Sequence, residues 1–191
     1  NHEIPFTHDA VKNAAERMGQ IWMNDDYVYG GTTNIANTNF KEAPKNLFPP
    51  ESDKDAKPKA LMHRQGNFVT GFFPDYVKEN MSEYVGVFGF PQINPEYGTP
   101  VLGGGDQFVS FKKDGSSERR ANINKVLEFL TTWEACKTWA EAGGAIFPHQ
   151  DQNFDDYTSE IEAKLAKILV NAEVFRFDGS DNMPSSVGAG T

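Results

Sequence analysis

The sequence carries a single cysteine, Cys136, so no disulfide can close within the chain and no thiolate metal cluster can be assembled from it. It is poor in positive charge: 18 Lys and Arg stand against 27 Asp and Glu, for a net charge of −9. No basic cluster interrupts that acidity. A nucleic-acid partner, which needs a basic stripe to displace counterions from phosphates, is therefore not expected. No stretch approaches the roughly 20 apolar residues of a membrane span, and no charged-then-apolar leader opens the chain. The four histidines, His2, His8, His63 and His149, fall in no metal-binding spacing, and neither Gly-x-Ser-x-Gly nor a phosphate-binding glycine loop occurs. Internal repeats and low-complexity tracts are absent as well.

What is present is enough chain for a well-packed core. The 191 residues suffice for one domain or for a large piece of a two-lobed protein. Asn1 at the start and Gly188-Ala189-Gly190-Thr191 at the end lead us to expect a processed chain or a fragment. Aromatic residues make up 13%, more than an acidic chain of this kind needs for its core, and flat rings left over can serve as stacking surfaces.

Hydrophobic periodicity predicts a helix over 8–23, with Val11, Ala14, Ala15, Met18, Ile21 and Trp22 on one face and Thr7 as its cap. Pro44, Pro49, Pro50 and Pro58 limit the following region to short helices and loop. Strands are expected over 60–64, 84–90 and 106–111, and Asn67 is placed to cap a helix carrying Phe68, Val69, Phe72 and Phe73. Two successive helices fit 116–143, and a third fits 157–174 with Ile161, Leu165, Ile168, Leu169 and Ala172 inward. Short strands separated by more numerous helices read as an α/β arrangement.

Several strings, taken in order, resemble family 1 extracellular solute-binding proteins of carbohydrate ABC importers, a group that includes maltose- and α-glucoside-binding proteins. They are Ala60-Leu61-Met62-His63-Arg64-Gln65-Gly66-Asn67-Phe68, Gly103-Gly104-Gly105-Asp106-Gln107-Phe108, Val126-Leu127-Glu128-Phe129-Leu130-Thr131, Trp139-Ala140 with Gly143-Gly144 and Pro148, and 175–184, from Phe175 through Asp178, Asp181 and Pro184. The resemblance covers essentially all of 1–191. It implies a helix-rich α/β lobe of the type II periplasmic-binding-protein kind with short strands, namely the C-terminal-lobe portion of a two-lobed receptor whose N-terminal lobe is absent here. It also implies a tail beyond Thr191 that adds aromatic residues to the sugar site. The expected partners are a sugar, an oligosaccharide or α-glucoside, and an ABC permease in the membrane. The expected state is a monomer, periplasmic or anchored at the outer face of the cytoplasmic membrane, with no cofactor.

A sugar site needs aromatic faces for C–H surfaces and fixed polar groups for hydroxyls. Phe68, following Gly66 where related receptors often place a stacking aromatic, is one candidate; the alternative is that it joins Phe72 in the core. Gly104 and Gly105 let a ligand approach the backbone, and Asp106 accepts hydroxyl hydrogen bonds, unless the run is only a tight turn. Asp181, within Asp178-Gly179-Ser180-Asp181-Asn182-Met183-Pro184, is a further candidate, although such residues often bond their own backbone. Trp22, Trp133 and Trp139 lie on apolar helix faces and are expected to pack in cores. Asp151, Asn153, Asp155 and Glu162 match oxygen positions of a calcium loop, but Asp156 stands where that loop requires glycine, which argues against the ion. Two alternatives to a transport receptor are a glycoside-acting enzyme using Asp106 and Asp181, and a ligand-reporting partner of a membrane sensor.

Overall fold

A computed structural model describes residues 4–112 and 116–184. The chain divides into two compact units, residues 1–64 with 72–76 and residues 65–71 with 77–191.

The first unit opens with α1 (Asp9–Trp22). Its cap is His8, one residue later than the sequence suggests: the extended His8 backbone turns Nδ1 onto the Ala10 N–H at 3.1 Å. None of the residues of α1 is buried, and Trp22 is 43% exposed, so it does not pack in a core. Periodicity identifies an apolar face but not what covers it. In the loop that follows, Asp25 Oδ1 accepts the Thr32 N–H at 2.7 Å, a bond that holds this carboxyl below the usual range, and α2 (Thr33–Asn37) begins there. The proline-rich stretch forms a short 3-10 helix at Ala43–Leu47 and a small core, in which the ring of Phe48 meets that of Phe73 edge-on at 5.0 Å. The Tyr76 hydroxyl donates to the Pro49 carbonyl at 2.6 Å. Residues 60–64 form no strand; Lys59 and Ala60 both give their N–H to the Asn46 carbonyl, each at 2.9 Å.

From the first unit the chain enters the second through α3 (Asp75–Glu79), where Val77 is fully buried, and then α4 (Met81–Tyr84). Among the described residues, the ladder is a two-stranded parallel sheet, β1 (Pro100–Gly103) beside β2 (Val174–Phe177), in register from Pro100↔Val174 to Gly103↔Phe177. Parallel strands require a long crossover. It is supplied by α5 (Ser117–Leu130), α6 (Trp133–Ala142) and α7 (Glu160–Val170), the helices that periodicity marks most clearly. Ser116, Thr132 and Ser159 cap them by accepting the N–H of Arg119, Ala135 and Glu162.

Ala140, Tyr157 and Ala166 form the center of the α6–α7 core, with Trp133, Ile146 and Phe147 packed around them. Ile161, 1% exposed, adds burial that stabilises the unit by about 1.5–3 kcal/mol. Asp156 ties this region together: it accepts from Lys137 Nζ at 2.7 Å and from Trp133 Nε1 at 3.0 Å, and both bonds hold its carboxyl below the ordinary value. Tyr157 donates to Gln152 Oε1 at 2.8 Å, and burial pushes its phenol up. Cys136 is buried in α6, which likewise raises its thiol.

The other two expected strands do not form either. Tyr84 ends α4, and residues 85–90 and 106–111 are irregular, since apolar alternation makes a strand only where a neighbouring strand takes up its hydrogen bonds. The segment 106–111 is fixed by side chains instead: the ring of Phe108 stacks on Trp139 at 5.7 Å, and Arg120 donates to Ser110 Oγ at 2.8 Å. The second unit is thus a helix-rich α/β arrangement with a small parallel sheet.

Candidate functional site

Because β1 and β2 run parallel and in register, the two loops that leave their carboxyl ends emerge side by side. One is Gly103-Gly104-Gly105-Asp106 and the other is 178–184. The pairing continues one step past the strands, where Asp178 donates its N–H to the Gly103 carbonyl at 3.1 Å. Sequence places these loops about 70 residues apart; the sheet brings them into contact.

The second loop is preorganised by Asp178. Its Oδ1 accepts both the N–H and the hydroxyl of Ser180, at 2.8 and 2.7 Å, and its carbonyl accepts from Asn182 Nδ2 at 3.1 Å. Ser180–Asn182 form one 3-10 turn. That turn aims Asp181 at the first loop, so that a Cβ built on Gly104 would stand 2.9 Å from Asp181 Oδ2. The absence of a side chain at 104 is what leaves room for the carboxylate. Around Gly105 a Cβ would meet nothing within 4 Å. Gly104, Gly105, Asp106 and Asp181 are all exposed, so this edge of the sheet presents two carboxylates and open backbone to solvent.

Phe68 is held in another part of the same unit. It lies in a 3-10 helix at Asn67–Phe72 and is 50% exposed, and its ring folds back over Gly66, where a Cβ would come within 2.7 Å of Phe68 Cε1. Asn67 does not cap a helix; its Nδ2 donates to the Gly144 carbonyl at 3.2 Å. Phe72 turns elsewhere, with its ring edge-on to Phe40 at 5.6 Å.

Sequence reasoning missed two arrangements. Trp139 is 48% exposed rather than buried, and it stacks on both Phe108 and Phe147, which ties the segment after Asp106 to α6. The surplus of aromatic residues was the available signal. Glu162, read as a calcium-loop position, is buried and accepts the Gly144 N–H on Oε1 at 2.7 Å. Asn153 Oδ1 accepts the Asp155 N–H, and among the described residues no group of three or more His, Cys, Asp and Glu could hold a metal ion. An open groove of about 770 Å³ runs along α5, bordered by Val109, Phe111, Arg120, Ile123 and Val126, and none of the candidate residues lines it.

No family model matches the chain, and no solved structure matches it significantly. Two curated relatives do. The osmoprotective compounds-binding protein GgtB of Synechocystis is 35% identical over 190 residues, covering all of this chain and 42% of the relative. The alpha-glucosides-binding periplasmic protein AglE of Rhizobium meliloti is 37% identical over 191 residues, covering 99% of this chain and 39% of the relative. The chain therefore spans about two fifths of the length of the curated relatives it matches. With such identity sustained from end to end, the chain is homologous to a stretch of these two solute-binding proteins.

Proposed function

We propose that this chain is the C-terminal-lobe portion of a two-lobed, type II extracytoplasmic carbohydrate receptor, which captures a sugar by lobe closure and delivers it to an ABC permease. The observation that carries the proposal is the meeting of the two loops at the carboxyl ends of the parallel strands. In open α/β sheets ligands bind outside these ends, where loops converge and backbone groups point outward. The name of one relative points to α-glucosides, and that is our proposed class of cargo.

Each candidate residue has a physical role in this scheme. Asp106 and Asp181 accept hydrogen bonds from sugar hydroxyls, as carboxylates with several lone-pair sites do well. Gly104 leaves space for Asp181, and Gly105 lets a sugar ring approach the backbone. Phe68 offers its exposed face to the C–H surface of a sugar. No bond is made or broken; the two carboxylates act as acceptors, not as an acid/base pair. Binding energy drawn from both lobes favours the closed population, which docks on the permease. The receptor works as a monomer in the periplasm or anchored at the outer face of the cytoplasmic membrane.

The test is a thermal-shift screen of the full-length protein against maltose, trehalose, glucose and trisaccharides, with amino acids and polyamines alongside, since a ligand that binds only the folded state raises its melting temperature. A shift with an α-glucoside supports the proposal. A shift with a non-carbohydrate solute alone overturns the cargo class.

A further inference from the structure

Ser159-Glu160-Ile161-Glu162 has the form of a capping box, in which the glutamate at the third helical position normally reaches back to the N–H of the capping residue. Half of the box is present: Ser159 Oγ accepts the Glu162 N–H at 3.2 Å. The other half is diverted. Glu162 Oε1 accepts the N–H of Gly144, 18 residues away, at 2.7 Å, while Oε2 is buried without a hydrogen-bond partner. A buried acceptor left unpaired is destabilising, and a local cap would have avoided it.

The diverted carboxylate fixes a residue whose backbone makes a second bond. The Gly144 carbonyl accepts from Asn67 Nδ2 at 3.2 Å, so the backbone of Gly144 is held at its N–H by Glu162 and, in the next peptide group, linked through its carbonyl to the residue immediately before Phe68. The clasp is itself immobilised. Thr158 donates its N–H to the Ala140 carbonyl at 3.2 Å, which pins the approach to α7 against the end of α6. Gly143 and Gly144, at φ +87° and +86°, turn the chain between them. From this continuous path we infer that Glu162 and Asn67 are positioning residues for Phe68, acting through the backbone of Gly144 to hold the aromatic face where a sugar would stack. The inference rests on the role of Phe68 given above.

The experiment is a double-mutant cycle in the full-length protein, with maltose and trehalose as probes in calorimetric titrations. Glu162→Ala and Asn67→Ala each weaken sugar binding by about tenfold, the scale of one lost hydrogen bond in a preorganised site, while Glu162→Gln, which keeps an acceptor toward Gly144, retains most of the affinity. In a Phe68→Ala background, Glu162→Ala and Asn67→Ala produce no further loss, because their effect passes through the ring. A purely structural role for Glu162 would instead lower the melting temperature and leave affinity unchanged, or add fully to the loss from Phe68→Ala; either result overturns the inference. Should Glu162→Ala fail to fold, Asn67→Ala carries the same cycle from the other end of the path. If Phe68→Ala weakens binding but neither positioning variant does, only the inference falls. If the wild-type protein binds neither sugar, or Phe68→Ala leaves affinity unchanged, the proposed site falls first and takes the inference with it.

Discussion

Asp181 holds its carboxylate in the space that a side chain at Gly104 would fill: a methyl added there would stand 2.9 Å from Asp181 Oδ2. Gly104 is not among the positive-φ glycines, so alanine at this position meets no backbone strain, and the atom it displaces is the far end of an exposed side chain. Gly104→Ala is therefore expected to leave stability within about 0.5 kcal/mol of wild type, as surface substitutions do, while moving Asp181 and weakening α-glucoside binding. Gly105→Ala makes the complementary case. Its methyl meets nothing in the free protein, so any loss of affinity reports a sugar that passes over that Cα. Melting curves and titrations on both variants of the full-length protein check this pair. An affinity unchanged in both would remove the glycine loop from the site.

Asp106 supplies the sharpest single test of that loop. It is exposed and follows a run of glycines, so replacing its carboxylate disturbs no core. Asp106→Ala is expected to reduce sugar affinity by about 100-fold, since a carboxylate holding two hydroxyls contributes two charge-assisted hydrogen bonds. Its melting temperature should match wild type. Normal binding by this variant would exclude Asp106 from ligand contact.

Acid should expose the tie between α6 and the turn before α7. The carboxyl of Asp156 is lowered from the ordinary 3.8, first by the hydrogen bond from Lys137 and next by that from Trp133. A carboxyl depressed in the folded state stabilises it fully above the unfolded pKa, and that contribution is lost as pH falls through the lowered folded value. Asp156→Asn should thus melt below wild type at neutral pH, and the gap should close as pH drops below 3.8. Melts recorded down an acid series decide it. A gap independent of pH would assign the effect to lost packing.

The helices of the crossover were legible in the sequence because their determinants are local. Ile123, Leu127, Ile161 and Leu165 keep a 3.6-residue spacing, although the last helix starts at Glu160 behind its Ser159 cap and not at 157. The sheet was not legible. Pro100–Gly103 is too short to show alternation and Val174 reads as the end of a helix, so only the pairing of segments some 70 residues apart reveals either strand. The same holds for the candidate site. Gly104, Gly105, Asp106 and Asp181 each belong to a string that stands out, yet the contact between Gly104 and Asp181 depends on strand register. Glu162 was hidden because its local sequence matches a helix cap, and nothing within the string records that its carboxylate points to Gly144.

The turn that receives that carboxylate allows a further test, one independent of any ligand. Gly143 ends α6 at φ +87° and ψ 160°, a region open to glycine and nearly closed to other residues. Gly143→Ala is expected to destabilise the protein by about 1–3 kcal/mol through the backbone, because the nearest atom to the new methyl, Thr158 Cγ2, lies at an ordinary 3.4 Å. Asparagine, which eases a left-handed helical φ, should give no relief, since ψ 160° lies outside that basin. Denaturant midpoints of the two variants distinguish strain from crowding. Equal losses for Ala and Asn support a glycine-only conformation; a loss that grows with side-chain size would point instead to contact with Thr158.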